Sequence, residues 1–267
     1  MPRPIWNGSI SFGLVNVPIK LFTAVSQKDV RFHQLHVSDG ARVRQKRICP
    51  VDGVEVPFDE IVKGYEIGPD RYVLVTSEEL EGLDPKATRT IDIEEFVDAT
   101  QIDPMFYEHP YYLVPDERAA KPYALLVQAM AASQKVAIAR FVLRTKQYLC
   151  AIRAAGDALV LSTMLYADEV VPQSELSGLP SVDELEVNDR ELAMAGQLIE
   201  SLTVESFDPS KFHDDYRERV LALIEAKAAG EEIVTQPAAE EAPKVVDLMA
   251  ALEASLAAAK AKKTKSA

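Results

Sequence analysis

The chain has 267 residues, with 29 Lys or Arg against 42 Asp or Glu, a formal net charge of −13 and a hydrophobic share of 48%. That is enough apolar material for one or two soluble domains, and no run approaches the ~18 consecutive apolar residues of a membrane span. MPRPIWNGSI lacks the apolar core of a signal peptide, and Cys49 and Cys150 are too few for a disulfide framework and form no C-x-x-C pair, so a cytoplasmic protein with ordinary thiols and no zinc site is expected.

From the N-terminus, IWNGSISFGLVNVPIKLFTAV is rich in strand formers and broken at Gly8, Gly13 and Asn16, which predicts a hairpin or two short strands. Val17, Ile19 and Leu21 share one face, and Pro18 puts that strand at an edge or on a bulge. Residues 20–50 hold seven basic and two acidic side chains. A second strand pair is expected from Val30 to Ile48 around the turn Ser38-Asp39-Gly40. With Arg31 in its first limb, its second limb, ARVRQKRI, puts Arg42, Arg44 and Lys46 on one face and Arg47 on the other. It has almost no apolar face to bury, so it reads either as an arm reaching towards an anionic ligand or as a solvated surface ribbon. His33 and His36, three apart in a strand, face opposite sides and cannot share one ion without a bulge, and His109 and His213 have no ligand-like company.

Residues 51–117 reverse the charge, with eighteen acidic side chains against four basic. After a strand at RYVLVT, Thr76 and Glu79 form a capping box for the helix SEELEGL. TRTIDIEEFV is a strand with Ile91 and Ile93 inward and Asp92 and Glu94 outward. Two carboxylates on one strand face can hold Mg²⁺ for a nuclease, but they also suit a solvated face, and no Lys or His joins them nearby. QIDPMFYEHPYYLVPDE is an aromatic, Pro-punctuated connection, and KPYALLVQAMAAS is a helix with Leu126, Val127 and Met130 as its apolar stripe.

The stretch from Arg118 to Gly156 carries seven basic residues and no acidic one. In KVAIARFVLRTKQYL the alternation of a β-strand puts Ile138, Arg140, Val142, Arg144 and Lys146 on one face and Ala137, Ala139, Phe141 and Leu143 on the other. Such a stripe suits a phosphate backbone without reading its sequence; the same charges also serve to protect an edge strand from aggregation. A turn at Ala155-Gly156-Asp157 returns the chain along ALVLSTMLY.

Beyond Pro180 the chain becomes helical and acidic. Asn188 or Asp189 caps RELAMAGQLIESL, with Leu192, Ala195, Ile199 and Leu202 on one stripe, and Asp208 with Pro209 caps KFHDDYRERVLALIEAKAAG, closed by Gly230. EEIVTQPAAEEAP is a linker by composition. KVVDLMAALEASLAAAK aligns Leu248, Leu252 and Leu256, and with no neighbours of its own it reads as a docking peptide. KAKKTKSA is a short basic tail.

IWNGSISFGLVNVPIKLF, KGYEIGPDRYV, IDPMFYEHPYYLVPD, YALLVQAM and VAIARFVLRTKQYLCAIR together resemble the prokaryotic Ku family, the DNA-end-binding proteins of bacterial non-homologous end joining. The resemblance runs in order from Pro4 to about Ala259. It implies a mixed, mainly β fold: a Ku-type β-barrel core over residues 1–180 with a DNA-bridging hairpin at about 30–64. A helical arm over 181–230 follows, then a flexible tail over 231–267 that holds the linker, a ligase-docking helix and the basic end. It further implies a ring-shaped homodimer, localised in the cytoplasm at the nucleoid, that threads ends of double-stranded DNA and recruits a multifunctional bacterial DNA ligase. It calls for no catalytic residue, metal or cofactor. Arg31, Arg42, Arg44, Lys46 and Arg47 would form the bridge; Arg140, Arg144 and Lys146 would line the barrel's DNA side; Lys260, Lys262, Lys263 and Lys265 would touch DNA; and Leu248, Leu252 and Leu256 would meet the ligase. The competing readings are a Mg²⁺-dependent nuclease using Asp92 and Glu94, and a non-catalytic interaction scaffold.

Overall fold

The computed structural model describes residues 3–83, 89–181, 185–230 and 248–265. The chain divides into two compact units, residues 1–28 with 32–172, and residues 29–31 with 173–267.

The first unit is built on a closed seven-stranded barrel. Its strands are β1 (Trp6–Phe12), β2 (Val15–Thr23), β5 (Thr90–Asp98), β6 (Tyr107–Pro115), β7 (Lys135–Leu143), β8 (Lys146–Ala155) and β9 (Ala158–Met164), in the order β1-β2-β6-β9-β8-β7-β5. The N-terminal hairpin forms as its alternation predicts, turning at Gly13 with φ 58°. Every adjacent pair is antiparallel except the closing one, where β1 and β5 run parallel through Ser9 to Thr90, Ile10 to Ile91 and Ser11 to Asp92. Closure leaves the barrel without a free edge. It also corrects the expectation for Pro18: β2 lies between β1 and β6, and Pro18 sits just outside the β2–β6 ladder, which begins at Ile19 opposite Pro115. Its missing N–H therefore leaves no ladder bond open.

Inward-facing Ile10, Ile19, Leu21, Ile91, Leu113, Phe141, Ile152, Leu159 and Leu161 are fully buried and fill the barrel. Helix α2 (Ala120–Ser133) packs into the same core through Tyr123, Val127 and Met130. Tyr123 was not part of the predicted stripe, yet it joins helix to barrel. Its hydroxyl donates to the Leu113 carbonyl at 2.5 Å and accepts the Leu159 amide at 2.8 Å.

KVAIARFVLRTKQYL is not one strand. It breaks at a two-residue turn, Arg144-Thr145, between β7 and β8. The alternation runs through the turn unbroken, which is why the sequence pattern hides it. Nor is the outward face of β7 simply charged. Val136 and Ile138 join Leu149, Ala151 and Met164 in a second apolar cluster with Ile102, Phe106 and Tyr107.

The expected strand pair from Val30 to Ile48 does not form. Between β2 and the two-stranded sheet of β3 (Lys63–Gly68) and β4 (Arg71–Val75) there are only two isolated bridges among the described residues, Leu35 to Arg42 and Ile48 to Glu55. Tight turns ending at Gly40 and Gly53 take up the backbone bonds that a ladder would use, and none of residues 31–75 is buried. After β4 comes α1 (Ser77–Leu83), opened by the Thr76–Glu79 capping box: the Thr76 amide donates to the Glu79 carboxylate at 2.8 Å and the Glu79 amide to Thr76 Oγ1 at 3.2 Å.

The second unit holds α3 (Asp189–Leu202), α4 (Asp215–Ala229) and α5 (Leu248–Lys265). Asn188 caps α3 as expected, accepting the Arg190 amide at 2.9 Å. Asp208 caps only the short turn Pro209–Lys211; Asp214 caps α4, and Gly230 ends it at φ 78°. The helix expected to lack neighbours has one: α5 packs against α3. Leu252 and Leu256 are half-buried there, whereas Leu192, Ile199 and Leu202 on α3 remain exposed.

Gly8 sets the closing seam. A Cβ there would overlap the Arg89 carbonyl and the Trp6 ring, while the Arg89 carbonyl accepts the Ser9 amide at 2.9 Å. Gly8→Ala is expected to lower unfolding stability by roughly 1–3 kcal/mol, as overpacked sites do. Denaturant unfolding with an unchanged midpoint would show that the seam relaxes freely.

Candidate nucleic-acid interface

The arm from residue 31 to 62 is held by two copies of one turn. In the first, the His36 carbonyl accepts the Gly40 amide at 2.9 Å, the His36 amide donates to the Ala41 carbonyl at 2.8 Å and the Val43 amide to the Gln34 carbonyl at 3.1 Å. Asp39 Oδ1 accepts the Ala41 amide at 3.0 Å. Thirteen residues later Cys49, Gly53, Val54, Val56 and Arg47 repeat these backbone bonds at 2.9 Å each, with Asp52 Oδ1 accepting the Val54 amide at 3.0 Å. That amide bond, with the Cys49 thiol, holds the Asp52 carboxyl below its usual pKa. Gly40 and Gly53 take φ 69° and 73°, which glycine adopts without strain. Sequence reading missed the repeat, although Leu35, Asp39, Gly40 and Val43 align with Ile48, Asp52, Gly53 and Val56.

The turns display the arm's cations in different ways. Arg31, Arg42 and Arg44 are exposed, and among the described residues neither Arg42 nor Arg44 is in a salt bridge. Lys46 Nζ lies 2.6 Å from Glu55, and the Arg47 guanidinium lies 5.1 Å from the centre of the Phe58 ring. Exposed ion pairs of this kind contribute little and are screened by salt, so a phosphate can compete for Lys46.

On the barrel the three predicted cations do not share a face. Arg140 lies across from Leu149 on one side and Asp92 on the other, on the outward surface, and its Nε is 3.5 Å from Glu94. Lys146 opposes Leu143, in register with the inward pair Phe141 and Tyr148, and its ammonium lies 5.1 Å from the centre of the Tyr148 ring. Arg144 occupies the turn between them with φ 61°.

Asp92 and Glu94 are engaged locally. Thr90 donates to Asp92 at 3.1 Å, Glu94 faces Arg140, and the β5–β7 register shifts between Ile93 and Glu95. Among the described residues no three His, Cys, Asp or Glu side chains form a potential metal cluster. The tail residues Lys260, Lys262, Lys263 and Lys265 follow the backbone of α5, but their side chains, like that of Leu248, lie outside the described residues, as does the linker at 231–247. No helix among the described residues is long and apolar enough to cross a membrane.

Cys150 is fully buried with its thiol 3.3 Å from the Ala139 carbonyl, and burial pushes its pKa far up; Cys49 is partly exposed. Because the thiolate is the reactive form, a thiol reagent at pH 8 is expected to label one cysteine in the folded protein and two after denaturation. Rapid labelling of Cys150 in the native state would contradict the packing of β7 on β8.

A family profile described as the Ku70/Ku80 beta-barrel domain matches residues 11–194. A protein named Non-homologous end joining protein Ku from Anaeromyxobacter sp. (strain K) is 56% identical over 262 residues, covering 97% of this chain and 87% of that one. Proteins of the same name from Heliobacterium modesticaldum and Mycolicibacterium smegmatis are 47% and 40% identical, over 99% and 97% of this chain and 95% and 83% of theirs. With the closed barrel that the profile describes and relatives matched along nearly its whole length, the chain belongs to the Ku family.

Proposed function

We propose that this chain binds ends of double-stranded DNA without reading their sequence, as a ring-shaped homodimer acting in non-homologous end joining. The observation that carries this reading is the exposed stretch of residues 31–75: none of them is buried, and Phe32, Val37, Val51, Phe58, Tyr65 and Leu74 are exposed as well as Arg42 and Arg44. Exposed apolar side chains on that scale want a protein cover, and an equivalent arm of a second copy supplies one while leaving the cations for DNA. The full-length relatives are named for end joining.

The mechanism is electrostatic and topological. Phosphate contacts give affinity through counterion release and carry no base information, and a closed ring admits a duplex only at an end. Nothing in this requires a reaction at Asp92 and Glu94, and the chain acts without catalysis or cofactor, in the cytoplasm at the nucleoid. Its bound end passes to a bacterial DNA ligase recruited by Leu248, Leu252 and Leu256. Since α5 packs on α3 in the free chain, the ligase takes over a helix face that α3 now covers in part.

Replacing Arg42, Arg44 and Lys46 together by Gln is expected to weaken binding equally for all sequences and to lower the salt slope of log K by roughly 0.9 for each phosphate no longer neutralised. A slope identical to that of the unaltered protein would remove the arm from the interface. Deleting residues 244–267 is expected to abolish stimulation of the ligase; full stimulation by the shortened protein would refute the docking role.

A further inference from the structure

The helix expected to meet the ligase is already in use. Its partly buried residues Met249, Ala251, Leu252, Leu256 and Ala259 recur at helical spacing along one side of α5. The helix packed against that side is α3, which among the described residues makes its one extended contact with α5. On α3 the partly buried apolar residues are Met194, Ala195 and Leu198, again on one side. Leu252 and Leu256 therefore serve two surfaces, α3 in the free chain and the ligase in the reading above.

The contact is shallow, since no described residue of either helix is fully buried. Between tethered segments a shallow contact is enough. Seventeen residues, a linker by composition, join Gly230 to Leu248, and such a tether sets an effective concentration that is roughly millimolar. A ligase that is far more dilute meets the stripe covered. Charge supplies the means of uncovering it. Helix α5 runs without a break from Leu248 to Lys265, about 27 Å at 1.5 Å per residue, so the leucine stripe and Lys260, Lys262, Lys263 and Lys265 belong to one helix. Residues 173–230 carry thirteen acidic side chains against five basic. That acidic unit suits a helix with a basic end, but it repels a duplex, which carries one negative charge per roughly 1.7 Å of axis. The basic end cannot follow phosphates and stay beside the acidic helices at once.

We propose that α3 is a seat that covers the Leu252 and Leu256 face of α5 in the free chain, and that a bound duplex, by drawing away the basic end of the same helix, uncovers that face for the ligase. The inference rests on the end-binding and ligase readings above and adds to them an order of events, the DNA end first and the ligase second. A face uncovered in one free molecule in about ten weakens the apparent ligase affinity about tenfold.

The test measures amide hydrogen exchange in the full-length protein with and without a linear duplex, together with the affinity of a purified end-joining DNA ligase for each form. The duplex is expected to speed exchange of residues 194–201 and 248–259 by about tenfold, the change for a face that goes from one-tenth to fully uncovered. Leu198→Asp, which puts a charge under α5, should give that fast exchange without DNA, leave exchange in the barrel unaltered and raise the DNA-free ligase affinity about tenfold. Replacing Lys260, Lys262, Lys263 and Lys265 together by Gln, a change confined to the end of α5, should keep exchange slow when the duplex is bound. Three results each overturn the proposal while leaving end binding intact: duplex binding that does not change exchange in α3 and α5, release by DNA in the Gln variant, and a Leu198→Asp protein whose α5 is released but whose ligase affinity is unchanged. Failure to bind the duplex defeats the end-binding reading itself, and failure of the ligase to bind any form defeats the ligase reading, and the proposal falls with either.

Discussion

The structure depends on one short parallel contact. Seven strands close into a barrel only because β1 meets β5 through three residue pairs, and that meeting is possible because Gly8 has no side chain where the Arg89 carbonyl and the Trp6 ring approach. Closure removes both sheet edges and creates the interior that Ile10, Ile91 and Phe141 fill. It also determines what else can be displayed. With its edges consumed, the barrel presents two mouths and an outward wall; α2 packs at one mouth and leaves a cleft against Ala154 and Gly156, and Leu143, Arg144 and Tyr148 of the β7–β8 hairpin line a cleft at the other.

The arm is stabilised on a different principle. It buries no side chain, so its form comes from backbone bonds repeated at a spacing of thirteen residues and from Asp39 and Asp52, which cap equivalent turns. Turn-built structure of this kind leaves long cationic side chains in solvent, where phosphates can reach them. Cations on the barrel are more constrained, since Arg140 answers to Glu94 and Lys146 to Tyr148. Among the described residues Arg42 and Arg44 are accordingly in no ion pair, whereas Arg140 faces the Glu94 carboxylate.

Much of the barrel was legible in the sequence because period-two alternation and turn glycines report local geometry directly, as in the hairpin of β1 and β2. Family motifs reached further than periodicity could and foretold the closed barrel with its following helices. What stayed hidden has physical causes. Alternation continued through Arg144 and Thr145, so a hairpin looked like a strand and three cations looked like one stripe. Tyr123 was invisible as a tie because a hydroxyl bonded to two strands leaves no trace in helical spacing. The arm looked like a ladder because its charges alternate, whereas its backbone bonds close two tight turns instead. The partner of α5 was hidden because α3 carries apolar residues on more than one side, and the stripe drawn through Leu192 and Ile199 was the exposed one.

How DNA enters is measured most directly by comparing binding of a linear duplex with binding of the same sequence as a covalently closed circle at matched salt. A ring loaded from ends predicts strong preference for the linear form, lost when both ends are blocked by bulky caps. Equal affinity for the circle would contradict it, leaving an open cationic surface that takes hold of any phosphate backbone from the side.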